Sequence, residues 1–155
     1  MFRVGERVCY PMHGVGVVEA VQEQEVLGEK ARYYTLRFVL GRMTAMVPVA
    51  TAGDVGLRAV ISADECDKVQ AYLLEESVEE SDNWNQRYRD NLERLRQGDI
   101  YGVADVVKSL LSREREKGLS AGERKMFLTA KQVLLAELSA ASGKDEEAFK
   151  AIVGE

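Results

Sequence analysis

A single histidine, two cysteines and one tryptophan are nearly all that this 155-residue chain offers of the residues that most often do chemistry. His13 follows Cys9 closely, but a Cys–His nucleophilic pair needs a third group to orient the imidazole, and nothing nearby supplies one. His13 reads instead as a turn residue ahead of Gly14. Cys9 and Cys66 have no metal-type spacing to another thiol and read as reduced thiols of a cytosolic protein. Gly14 and Gly16 are too few for a phosphate-binding fingerprint, and no helix follows them. No Walker lysine motif, paired-carboxylate arrangement or zinc spacing occurs. The expectation is a protein that is not an enzyme, with no catalytic residue, no metal, no cofactor and no small-molecule substrate. Long apolar runs are missing too, and a membrane span needs about 20 residues. Met1-Phe2-Arg3-Val4-Gly5 has no apolar h-region of a secretory signal, so a cytoplasmic location is expected.

What is present is charge, unevenly spread. The net charge of −5 argues against a protein that coats DNA. Residues 84–131, however, hold eleven Lys or Arg against seven Asp or Glu. Glu75, Glu76, Glu79, Glu80 and Asp82 precede that stretch without a base among them, and residues 137–155 are acidic again. A basic middle with acidic margins suits contact with nucleic acid over a small area.

Period divides the chain. Up to about residue 53 it is two: Glu6 to Tyr10 alternates, Gly16 to Val21 gives a second strand, and Arg32 to Val39 a third. The third puts Tyr34, Leu36 and Phe38 on one face and Tyr33, Thr35 and Arg37 on the other. Leu27-Gly28-Glu29-Lys30 and Leu40-Gly41-Arg42-Met43 are turns, and Thr44 to Val49 is a fourth strand ended by Pro48. Short strands with tight turns in some fifty residues suggest a small barrel. After Ala52-Gly53-Asp54-Val55-Gly56 the period becomes 3.6. Ser62 with Glu65 and Ser120 with Glu123 form capping boxes, and Asp82 or Asn83, Asp99 and Asp145 cap three further helices. The expected architecture is α+β: a β domain over 1–53, a linker over 54–61 and an all-α helical bundle over 62–155.

The lone Trp84 opens one of those helices. Trp84, Tyr88, Leu92 and Leu95 share a stripe flanked by Arg87 and Arg94 on one side and Arg89 and Arg96 on the other. At a helix start, beside free N–H groups, Trp84 could staple the helix to a neighbour or lie as an aromatic plate against nucleic acid. The pattern leaves both open.

Several segments, in order and spanning nearly the whole chain, resemble one bacterial family. Phe2-Arg3-Val4-Gly5-Glu6-Arg7-Val8-Cys9-Tyr10-Pro11-Met12-His13-Gly14-Val15-Gly16 resembles the opening of the CarD/CdnL transcription regulators, a pattern shared with one module of the transcription-repair coupling factor. Val47-Pro48 and Val55-Gly56-Leu57-Arg58 match the end of that module. Asn83-Trp84, Arg87-Tyr88, Asn91-Leu92-Glu93 and Gly118-Leu119-Ser120-Ala121-Gly122-Glu123-Arg124-Lys125-Met126 resemble the helical half. The resemblance implies a Tudor-like (SH3-like) barrel that docks on the RNA polymerase β subunit. It also implies a helical DNA-binding domain that reaches promoter DNA at the upstream edge of the bubble. There a Trp wedges against the minor groove and stabilises the open complex, with little sequence specificity. Carried over by position, Trp84, Asn85, Arg87 and Arg89 would meet DNA, and Gln24, Thr44, Met46 and Val47 would meet polymerase. Gln86 stands where some relatives carry a base in the Trp segment, which implies a modest DNA affinity. Met46 and Gln24 stand where some carry one on the polymerase-facing strands, which points polymerase docking towards apolar or strand-to-strand contact. The expected form is a monomer, held near the nucleoid through polymerase. The rival reading is a protein–protein adaptor on polymerase that never touches DNA.

Overall fold

The structure, a computed structural model, describes residues 1–76 and 80–155. Glu79 of the acidic segment lies outside the described residues. The chain is α+β. Strands β1 (Arg7–Tyr10), β2 (Gly14–Val26), β3 (Glu29–Phe38), β4 (Thr44–Pro48) and β5 (Arg58–Ala59) precede helices α1 (Ala63–Leu73), α2 (Trp84–Gln97), α3 (Ile100–Glu116) and α4 (Ala121–Ser142). A 3-10 turn over Val49–Thr51 follows β4, and a 3-10 segment over Glu146–Val153 takes the place of the expected last helix.

The strands pair in the order β4-β3-β2-β1-β5, each pair antiparallel. Alternation in β3 runs as the sequence pattern requires: Tyr34, Leu36 and Phe38 are buried, while Arg37 is exposed. Val8, Val18 and Val47 join them from neighbouring strands, and Ala52 and Leu57 from the β4–β5 connection complete the cluster. The sheet therefore packs round a core of its own, with β4 and β5 at the two ends of the ladder. A β-bulge between Val18 and Ala20 adds twist to β2. The β2–β3 turn is tighter than its four turn-forming residues suggest: Val26 pairs with Glu29, leaving only Leu27 and Gly28 at φ 54° and 81°. That is a two-residue turn with both φ positive.

All four helices are capped by side chains. Ser62, Asn83, Asp99 and Ser120 accept from the backbone N–H groups of Glu65, Gln86, Tyr101 and Glu123 respectively. Between the two candidate caps of α2, Asn83 wins over Asp82. The first capping box is half made, because the Glu65 carboxylate accepts from the Tyr101 hydroxyl. Val69, Leu95, Val103, Val107, Leu110, Ala130, Leu134 and Leu138 form one helical core, closed by Phe149 from the C-terminal 3-10 segment.

The boundary differs from expectation. The 54–61 segment, expected as a linker, contributes β5, which pairs Arg58 with Cys9 and Ala59 with Val8. A two-residue strand carries no alternation to read. Beyond it, Val60 packs with Cys9, Val15, Ala136 and Ala140, so β1, β2 and α4 share a third apolar cluster. Sheet and bundle meet through a packed face.

Candidate nucleic-acid and polymerase interfaces

Trp84 is the first residue of α2, and its side chain is 42% exposed. The indole stacks on Tyr88 at 5.1 Å between centroids and 17° between planes. Its Nε1–H donates to Ser120 Oγ at 3.2 Å. That bond ties the start of α2 to the cap of α4. Gly122 lies beneath, where an added Cβ would meet Tyr88 at 3.6 Å and Trp84 at 3.9 Å. Two helix N-termini are thus held side by side under an aromatic plate. At each, the N–H groups of the first two helical residues lack an intrahelical acceptor and favour anions. Trp84 is thus tied to a neighbouring helix through Ser120 and still 42% exposed.

Asn85, Arg89 and Lys125 are exposed. Arg89 keeps its Nε–H loosely on the Asn85 carbonyl at 3.4 Å. Arg87 corrects its expected role. It is 3% exposed and its Nε lies 3.0 Å from Glu123 Oε2 and 3.7 Å from Glu80 Oε2. A further bond runs from Nη1 to the Ser81 carbonyl at 3.3 Å. A guanidinium spent on two carboxylates and a carbonyl is not presented to a phosphate. Burial pushes Glu123 up, but the hydrogen bonds and charge of Arg87, with Ser120, outweigh it and hold its carboxyl below the usual range. Burial wins at Glu80, whose pKa is raised despite Arg87 and Arg113. Helical geometry put Arg87 beside the stripe, and the burying partner came from 36 residues downstream.

The expected polymerase residues fall on two strands that β3 separates, Gln24 on β2 and Thr44, Met46 and Val47 on β4, and they divide by face. Met46 pairs with Thr35, Thr44 with Arg37, and Gln24 with Ala31, all on the outward parity of the sheet. Met46 is 46% exposed and Thr44 is exposed. Val47 is opposite Tyr34, 3% exposed in the sheet core, so its side chain faces away from any partner. β4 is an edge strand, with alternate backbone groups directed outward and Pro48 contributing no donor.

Elsewhere the chemistry is quiet. His13 stacks on Phe38 and its Nδ1 donates to the Pro11 carbonyl at 3.0 Å, in the tautomer that allows it. Cys9 is buried, and desolvation, reinforced by Glu137, drives its thiol far above the ordinary range. Among the described residues no group of three or more His, Cys, Asp or Glu could hold a metal, and no helix is long and apolar enough to cross a membrane.

Two family models match the chain in succession. Residues 2–61 match the CarD-like/TRCF RID domain, and residues 68–154 match the CarD C-terminal domain. The chain belongs to the CarD-like family of transcription factors. A relative in Bacillus subtilis (strain 168), YdeB, named as a candidate transcription factor, is 33% identical over 150 residues, covering 97% of this chain and 98% of that one. Two solved Myxococcus xanthus domains are also similar. The 72-residue N-terminal domain of CarD is 36% identical over 38% of this chain and 79% of its own, with a TM-score of 0.34. The CdnL N-terminal domain is 39% identical over 40% and 87%, also at 0.34. In this CarD-like chain, Ser120 and Gly122 lie against Trp84, a placement that sequence reasoning, which read them only in the family-like segment 118–126 and Ser120 as a helix cap, did not foresee.

Proposed function

We propose that the chain regulates transcription by docking the outer face and edge of β4 on the β subunit of RNA polymerase and setting Trp84 against promoter DNA at the upstream edge of the bubble. The half-bare Trp84, propped on Tyr88 at the joined helix starts, carries the reading. An apolar wedge at a base step stabilises distorted DNA. Arg89, Asn85 and the free N–H groups hold nearby phosphates without reading sequence. Gln24, Thr44 and Met46 supply the polymerase-facing surface, with Val47 contributing backbone alone. Open-complex lifetime is the quantity regulated, and no catalytic step belongs to the chain itself.

The net charge of −5 favours a second reading, an adaptor on polymerase without DNA contact. A photo-crosslinking residue in place of Trp84, within a polymerase–promoter open complex, separates the two. DNA crosslinks at the upstream bubble edge are expected; crosslinks to polymerase subunits alone would support the adaptor.

A further inference from the structure

Where sheet and bundle meet, one charged pair does more than fill space. Arg58 of β5 and Glu137 of α4 form a bidentate pair, Nη1 to Oε2 at 2.6 Å and Nη2 to Oε1 at 2.7 Å. The Glu137 side chain is 1% exposed and that of Arg58 29%. Glu137 Oε2 also accepts from the Ile61 N–H at 3.0 Å, and Arg58 Nε donates to the Gly98 carbonyl at 3.0 Å. One guanidinium therefore joins β5, α4 and the C-cap of α2. Pro11 of the β1–β2 turn seals the place: a Cβ on Gly98 would fall 2.7 Å from its Cγ, and one on Gly56 2.6 Å. Gly98 also sits at φ 75°, so both its conformation and its surroundings exclude a side chain.

We propose that Arg58 and Glu137 are positioning residues, a latch that makes sheet and bundle one rigid body and so fixes where Trp84 lies once the sheet has docked. The functional half of this inference rests on the function proposed above. The lever is long. Trp84 and Gly98 bracket α2, whose 14 residues span about 21 Å at 1.5 Å per residue, so a tilt of about 10° at the latch moves the indole by about 3–4 Å. That displacement is the distance between stacking on a base step and missing it. An apolar interface could hold the halves together, but a bidentate fork fixes their angle as well.

The test uses the full chain as wild type, Arg58→Lys, Glu137→Gln and the double variant Arg58→Met/Glu137→Leu. Arg58→Lys keeps the charge and loses the fork; the double variant keeps the burial and loses the charges. Residual dipolar couplings measured separately over the sheet and the bundle give the alignment of each. Wild type is expected to need one alignment tensor, and the variants two. With polymerase affinity within about twofold of wild type, open-complex lifetime is expected to fall at least fivefold in the variants. A single tensor in every variant overturns the latch. So do two tensors with an unchanged lifetime. If the single variants unfold, the double variant decides by the same two readouts. A wild-type chain that never lengthens the open complex would refute the proposed function, while the tensors still judge the latch as a mechanical device.

Discussion

Arg87 and Arg89 are two positions apart in a basic stretch, and burial gives them different work. Arg87 is closed into the Glu123 pair, so Arg87→Ala should cost about 3–5 kcal/mol by leaving a buried carboxylate unpaired. Urea unfolding reads that cost directly. The pair also has a pH signature. Glu123 has a depressed folded pKa, so its contribution is complete above the unfolded carboxylate value of about 4.3 and is lost as pH falls through the lower folded value. Glu80, raised by burial, acts in the opposite sense and loses its contribution as pH rises through its folded value. Glu123→Gln should therefore flatten the acid limb of stability against pH, and an unchanged acid limb would show that the pair is not what holds it. Arg89 is exposed, so Arg89→Ala should leave stability within about 0.5 kcal/mol and lower the salt slope of DNA binding by about one.

Elements show how much of the fold was legible. Strand alternation in β3 and the caps of α2, α3 and α4 follow from spacing alone, because each is decided within four residues. The tight β2–β3 turn was less legible, since Leu27 is an unfavourable residue for φ 54° and nothing in its type announces the turn. Its side chain is 99% exposed, so no packing offsets that conformation. Leu27→Asn, which makes the favoured Asn-Gly turn, should stabilise the chain by about 1 kcal/mol in thermal or urea unfolding. On β4 the outward and inward residues should separate cleanly. Met46→Glu is expected to weaken polymerase binding at least tenfold with little change in stability, since it buries a charge only in the complex. Val47→Ala should instead cost about 1–2 kcal/mol of fold, in proportion to the methyl groups removed from the sheet core. A pull-down and an unfolding curve on each variant suffice, and reversed outcomes would assign the wrong face to polymerase.

Over the whole molecule, sequence reasoning found two modules and missed how they join. Helices begin only past β5, and Arg58 and Glu137 are 79 residues apart with no local pattern to link them. With β5 laddered to β1 and Arg58 held by the buried Glu137, limited proteolysis should spare 54–61, and early cleavage there would mean that the halves part readily. The same long-range geometry decides Trp84. Its stripe, cap and flanking arginines were visible along the chain, whereas its bond to Ser120 and its bare edge depend on α4 arriving beside α2. The lifetime of the open complex on a weak promoter, measured with wild type and Trp84→Ala and paired with urea unfolding of both, is the most direct test. Because Trp84 is 42% exposed, truncation should cost about 1–2 kcal/mol, mostly the Tyr88 stack, well short of the ~3–5 for a core aromatic. Folded Trp84→Ala should lose most of the lifetime extension that wild type gives. A variant destabilised by several kcal/mol that still supports the full lifetime while folded would contradict the wedge and leave Trp84 a staple.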